Sequence, residues 1–180
     1  MTAQPLPVVP ISEAHVEGFR EALDVVAREK RFLAMFEAPP LAQVRAHVRD
    51  GIAQGVAQFV ALDGTQVVGW ADVFPGWAHG VQHRGSLGMG LLPAWRGQGL
   101  GRRLLEACIA ATWARGLTRI ELEVRVDNAA AIRLYERAGF GHEGIKRNAI
   151  RVDGVHVDTH AMSLLAPAAA GEAGAGAVAR

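Results

Sequence analysis

Two short runs of this chain hold residue types at spacings that could do chemistry. The first is Arg96-Gly97-Gln98-Gly99-Leu100-Gly101, which follows the apolar stretch 87–92 and Pro93. A loop with so little side-chain bulk lets its amides approach a ligand closely. Leu100, Leu104, Cys108 and Ala111 recur at helical spacing, which places a helix N-terminus directly behind the loop. Unpaired N–H groups and a partial positive charge there suit an anion, a pyrophosphate above all. The loop is not a P-loop, since no Lys-Ser or Lys-Thr follows it. Nor is it a dinucleotide fingerprint: Arg102 stands where the third glycine belongs counting from Gly97, and Pro93 where it belongs counting from Gly88. The second run spans 127–140, where Asn128 and Tyr135 lie seven residues, or two helical turns, apart on one face. Spacing alone favours a capping Asn and a packing Tyr.

The elements that must position these runs follow from periodicity. Leu6 to Ile11 reads as an edge strand, the only place Pro7 and Pro10 are tolerable. Ser12 opens a helix to about Arg28 with Val16, Phe19, Leu23 and Val26 inward, and a second helix runs from about Leu41 to Ala53. The apolar segment 29–40 between them reads as a substrate lid or a plain helix connection. Strands are expected over 56–62, 66–74 and 83–92, with Asp63-Gly64 turning the first hairpin. A helix over 100–115 and a strand over 118–126 complete a right-handed parallel βαβ unit with the strand 83–92. Asn128 caps the next helix, which stops at Gly139, and the stretches 140–150 and 155–164 form a hairpin around Asp153-Gly154. Residues 1–165 read as one domain, and the small-residue run 166–180 as a disordered tail.

Composition narrows the function classes. The 180 residues suffice for one sizeable core, and half of them are hydrophobic. A net charge of +1 without a dense basic patch argues against nucleic acid as the main partner. The lone cysteine, Cys108, excludes an intrachain disulfide and lies on an apolar helix stripe as an inert thiol. There is no signal-peptide pattern and no membrane-length apolar run, so a cytoplasmic location is expected. No metal site is indicated.

Together, Arg96-x-x-Gly99-x-Gly101 and Asn128-x-x-Ala131-x-x-x-Tyr135-x-x-x-Gly139-Phe140 resemble the acyl-CoA loop and the following helix of the GNAT N-acetyltransferase superfamily. The resemblance runs from about Val56 to Leu164. Around Glu143-Gly144 and Arg151-Val152-Asp153-Gly154 it is closest to bacterial L-amino-acid N-acetyltransferases, with polyamine and ribosomal-protein enzymes less close. It implies an α/β fold with a mixed, mostly antiparallel central sheet, splayed at one parallel βαβ unit and covered by helices on both faces. It also implies acetyl-CoA as cosubstrate, bound by the amides around Met89, Gly90 and Leu91, by the loop Arg96, Gly97, Gln98, Gly99, Leu100, Gly101 and Arg102, and by Asn128 and Tyr135. Gly88 and Gly90 could form a bulge that opens the strand pairing.

The amine would attack the thioester directly, with Tyr135 as the acid that protonates the thiolate. Many relatives carry a carboxylate early in the strand before the loop, whereas this chain has Ser86. Glu121 is the first candidate for the base, with Asp72, His79 and His83 as others. The expected reaction is acetylation of a small primary amine, an amino acid or analogue, whose carboxylate could meet Arg28, Lys30 and Arg31. The alternatives are a protein N-terminal or polyamine acetyltransferase, or a catalytically weak acyl-CoA-binding module. A homodimer is expected through the C-terminal hairpin, which carries Ile145, Ile150, Val155 and Val157.

Overall fold

The period-two stretches become strands and the 3.6-period stripes become helices in a computed structural model that describes residues 5–167. In chain order these are β1 (Val8–Pro10), α1 (Val16–Arg28), α2 (Leu41–Ala53), β2 (Ala57–Asp63), β3 (Gln66–Pro75) and β4 (Arg84–Leu91). Then follow α3 (Leu100–Ala114), β5 (Arg119–Arg125), α4 (Ala129–Arg137), β6 (Gly141–Val152) and β7 (Val155–Leu165). The expected tail lies outside the described residues from position 168 onward. Ala166 is still tied in, its N–H donating to the Thr118 carbonyl at 2.9 Å.

The strands form one sheet in the order β1-β2-β3-β4-β5-β7-β6. Every neighbouring pair is antiparallel except β4–β5. That is the splayed mixed sheet the resemblance implied. β1 pairs only with β2, so Pro10 costs no ladder bond on an outer side. The β6–β7 turn takes Asp153 at φ 46° and Gly154 at φ 86°, the two left-handed residues of a type I′ turn.

Successive residues of β3 show which helix covers which face. The Trp70 ring meets Phe19 of α1 at 5.7 Å, and Phe74 stacks on His47 of α2 at 4.2 Å. On the alternate positions, a Cβ on Gly69 would lie 3.3 Å from Leu104 Cδ1 of α3, whose Cys108 thiol also donates to the Ala71 carbonyl at 3.1 Å. Side chains alternate across a strand, so α1 and α2 cover one face of the sheet and α3 the other. Leu104, Leu105, Ile120, Val60, Val68 and Met162 are fully buried in the resulting core. Each such side chain contributes roughly 1.5–3 kcal/mol by leaving water. Burial also pushes the Cys108 thiol up, as an inert core cysteine requires.

The expected bulge at Gly88 and Gly90 does not form. Pairing of β3 with β4 is continuous from Gly69 opposite Leu91 to Pro75 opposite Gly85. These glycines instead make room for side chains of β3. A Cβ on Gly90 would lie 2.3 Å from Trp70 Cη2, and one on Gly88 would lie 3.0 Å from Asp72 Oδ1. The opening comes from the other edge, because β4 pairs with β5 only over Arg84–Ser86 against Arg119–Glu121. Beyond that point the two parallel strands part.

Candidate active site

The anion loop is built from backbone conformation. After β4, the Leu92 N–H still donates to the Val68 carbonyl at 2.9 Å, and Pro93–Trp95 form a 3₁₀ turn. Gly97 and Gly99 then take φ of 74° and 81°, left-handed values that exclude most side chains although the space around both is open. Gly99 is the N-cap of α3 and has no side chain to cap it. The N–H groups of Leu100, Gly101 and Arg102 therefore precede the first backbone bond of the helix, Arg103 N–H to the Gly99 carbonyl at 3.3 Å. Three amides at the positive end of a 15-residue helix form a donor set that fits a pyrophosphate. Gly101 has a second role. A Cβ there would meet Leu91 Cδ1 at 3.3 Å and Leu134 Cδ2 at 3.5 Å, so its absence lets α3 close on β4 and α4.

The open edge of β4 supplies more donors. Arg84 accepts from the Gly76 N–H and Leu92 donates to Val68, so the even-numbered residues of β4 bond to β3. By alternation the N–H groups of Met89 and Leu91 point into the gap left by β5, while Gly90 faces β3. Met89 and Leu91 thus offer the amides that a pantetheine chain and a thioester carbonyl need.

The arginines are less free than the sequence suggested. Arg96 grips Glu29 with both terminal nitrogens, at 2.9 and 2.5 Å, donates Nε–H to the Leu91 carbonyl at 2.9 Å, and lies 4.6 Å over the Phe32 ring. Arg102 pairs with Glu106 on the same helix at 2.7 Å, and Gln98 donates to the Ala94 carbonyl at 2.7 Å. Arg96 therefore ties the segment 29–40 to the anion loop. Arg125, at the end of β5, holds the same segment through the Lys30 carbonyl at 3.1 Å. The segment thus lies across the ends of β4 and β5, where a substrate cover would have to sit. Of the basic trio, Arg28 is committed to Asp24 and Lys30 to Asp153. Arg31 lines a cleft of about 320 Å³ with Phe32, Asp127, Asn128, Ala129 and Ala130.

Asn128 does cap α4, its Oδ1 accepting the Ala131 N–H at 3.2 Å, and it also lines that cleft. Tyr135 is 8% exposed and packs its ring 5.8 Å from that of Phe140. Among the described residues its hydroxyl has no hydrogen-bond partner, yet it is not among the sealed polar atoms. A phenol that keeps its proton, because burial pushes it up, and that still reaches open space can serve as an acid.

The candidate bases separate. Directly opposite residues share a face, so Ser86, Gly88, Asp72, Phe74 and Glu121 all look to the α1/α2 side. Ser86 is exposed there. Glu121 is held by Arg84 at 2.9 Å and Arg119 at 3.3 Å. Further along β5, Glu123 is paired with Lys146 and accepts from the Thr159 hydroxyl at 3.2 Å. His79 and His83 are exposed in the β3–β4 connection, at the end of β4 away from the anion loop. Asp72 has no cationic partner among the described residues. Loss of water pushes its carboxyl up to about 7, against the pull of the Gly88 N–H.

The comparisons agree with this geometry. A model of the acetyltransferase (GNAT) family matches residues 22–140. The [ribosomal protein bS18]-alanine N-acetyltransferase of Escherichia coli (strain K12) is 52% identical over 56 residues, which are 31% of this chain and 38% of that protein. The N-alpha-acetyltransferase RimI of Mycobacterium tuberculosis is 44% identical over 71 residues, 39% of this chain and 43% of that protein. The chain thus spans about two fifths of the length of these curated relatives. Among solved structures, the putative acetyltransferase yncA of Salmonella typhimurium, solved with its cofactor acetyl-CoA, superposes with a TM-score of 0.85. That match has 20% identity over 90% of this chain and 94% of the other, and so speaks for the fold alone. A splayed parallel strand pair, a glycine-capped helix behind it and a family match across both motifs have one meaning: the chain belongs to the acetyltransferase (GNAT) family.

Proposed function

We propose that the chain transfers the acetyl group of acetyl-CoA to a primary amine, and that the amine is carried by a small molecule such as an amino acid or analogue. The observation that carries this reading is the parting of β4 from β5 after Ser86 and Glu121, with Met89 and Leu91 amides on one side and the three free N–H groups of α3 behind them. In this reading the α3 amides hold the pyrophosphate and the Met89 and Leu91 amides hold the pantetheine. Asn128 sits beside the cofactor, and Tyr135 protonates the leaving thiolate. Arg31, lining the cleft by Asn128, is the cation left to meet an acceptor carboxylate.

A second reading is favoured by the relatives in E. coli and M. tuberculosis, whose names describe acetylation of an alanine of ribosomal protein bS18 and N-alpha acetylation. There the acceptor is the N-terminal amine of a polypeptide. Both acceptors present an α-ammonium group, and they differ in whether a carboxylate or a peptide chain follows it. Thiol release from acetyl-CoA, measured with free amino acids, polyamines, aminoglycosides and short peptides of defined N-terminus, tests both. Turnover of amino acids supports the first reading and turnover of peptides alone the second. Binding of acetyl-CoA without turnover of any amine would reduce the chain to a cofactor-binding module.

We also propose a homodimer formed through β6. This strand is an edge of the sheet, is exposed from Gly141 to Ala149, and carries Ile145 at 58% exposure, while Val155 at the turn end of the β6–β7 hairpin is 66% exposed.

A further inference from the structure

Resting on the acetyl-transfer reading, we propose that Asp72, reaching over Gly88 from β3, is the catalytic residue that takes the proton from the acceptor ammonium. β4 itself has only Ser86 at this level, and Asp72 supplies a carboxylate from one strand over. Three features of the geometry carry this. Asp72 stands directly opposite Gly88, on the face that Ser86 and Glu121 share. The missing side chain of Gly88 leaves the space that Asp72 Oδ1 borders, 3.0 Å from where a Cβ would be. Asp72 is half-buried rather than sealed, next to the exposed Ser86, just where β4 loses β5.

The surroundings suit a base that works near neutrality. Glu121, the other carboxylate at this level, is neutralised by Arg84 and Arg119. The Asp72 charge is felt by Cys108 of α3, and His47 of α2 stacks on Phe74, two residues along β3 on the same face; burial keeps both uncharged near neutrality. Across β2 stands Gln58, which is uncharged. A carboxyl pushed up to about 7 by the same burial accepts a proton from an ammonium far better than an ordinary aspartate does.

The protons balance. The ionised Asp72 takes one proton from the ammonium, and the freed lone pair forms the C–N bond at the thioester carbonyl. The C–S bond then breaks, and the thiolate takes the Tyr135 proton. Of the two protons still on the nitrogen, one restores Tyr135 and the other stays as the amide N–H, and Asp72 returns its proton to water.

The test is Asp72→Asn, with the acceptor of the amine panel that the wild type turns over fastest. Acetyl-CoA affinity should stay within about threefold, while kcat/KM falls by roughly 10²–10⁴-fold. The acid limb that the wild type shows near pH 7 should vanish. Ser86→Glu added to Asp72→Asn should restore at least tenfold of the loss. In the unsubstituted protein the Asp72 carboxyl carbon should titrate near 7 by NMR and respond to acetyl-CoA. A variant within about twofold of wild type, an acid limb that persists, or a carboxyl that titrates near 4 would each overturn the assignment, the last even if the variant failed to fold. A wild type that acetylates no amine overturns the transferase reading and this role with it. An active wild type with an active Asp72→Asn overturns only the role.

Discussion

At the scale of single residues, the proposed chemistry rests on two ionisable groups, Tyr135 and Asp72, that loss of water drives the same way, toward the protonated form, although their roles are opposite. In the proposed chemistry Tyr135 donates, and burial keeps it protonated beforehand while making the phenol a weaker acid. Tyr135→Phe keeps the ring against Phe140 and removes only the proton. Acetyl-CoA affinity measured by calorimetry should hold, while turnover falls by roughly 10²–10⁴-fold where chemistry limits the rate. In its proposed role Asp72 must instead lose its proton in the fold, and this has a stability consequence with a definite sign. Its folded carboxyl lies near 7, above the ordinary 3.8. The fold is therefore penalised progressively as pH rises from about 4 to about 7, by on the order of 4 kcal/mol once Asp72 is fully ionised. Asp72→Asn should raise the melting temperature at pH 8 and leave it nearly unchanged at pH 4. Equal effects at both pH values would show that the penalty is absent.

At the scale of elements, the glycines fall into two kinds that substitution should separate. Gly90 is required by packing, since a Cβ would run into the Trp70 ring at 2.3 Å. Gly90→Ala should cost roughly 1–3 kcal/mol of unfolding free energy in a denaturant titration. Gly99 is required by its φ of 81° at the head of α3, in open space. Gly99→Glu should leave a folded protein weakened by about 1–2 kcal/mol of backbone strain. Acetyl-CoA binding should be lost, because the new carboxylate competes for the free amides. Calorimetry that finds unchanged affinity in that variant would remove the anion loop from the site. The segment 29–40 belongs to the same scale. The Glu29–Arg96 pair that anchors it is partly exposed, so it is worth less than about 1 kcal/mol alone and acts by placement more than by strength.

For the whole molecule, the exposed edge of the sheet is β6. An exposed edge strand of twelve residues is a template for pairing with another chain unless it is blunted. β6 carries the two register irregularities between His142 and Gly144 and between Lys146 and Ile150, which blunt it in part. Light scattering at micromolar concentration should return the mass of two chains. The mass of one chain would show that the irregularities and charges of β6 are protection enough. At this scale too, no helix among the described residues is long and apolar enough to cross a membrane.

The sequence by itself determined what depends on neighbours along the chain. Alternation in Ile120, Leu122 and Val124, the Asp153-Gly154 turn and the Asn128 cap are local matters, and each appears where its pattern places it. The anion loop was legible for the same reason, because a left-handed N-cap needs a glycine whatever surrounds it. Only the tertiary structure decided which charges are free. Arg96 meets Glu29 across 67 positions and Arg84 meets Glu121 across 37. The second follows from the register of β4 on β5 and the first from the packing of two connections, after α1 and after β4, and no local pattern encodes either. The same is true of Asp72, an ordinary aspartate in an apolar run until β4 sets Gly88 opposite it. Its raised carboxyl comes from the water it loses there, and that loss exists only once the sheet and its covering helices have closed.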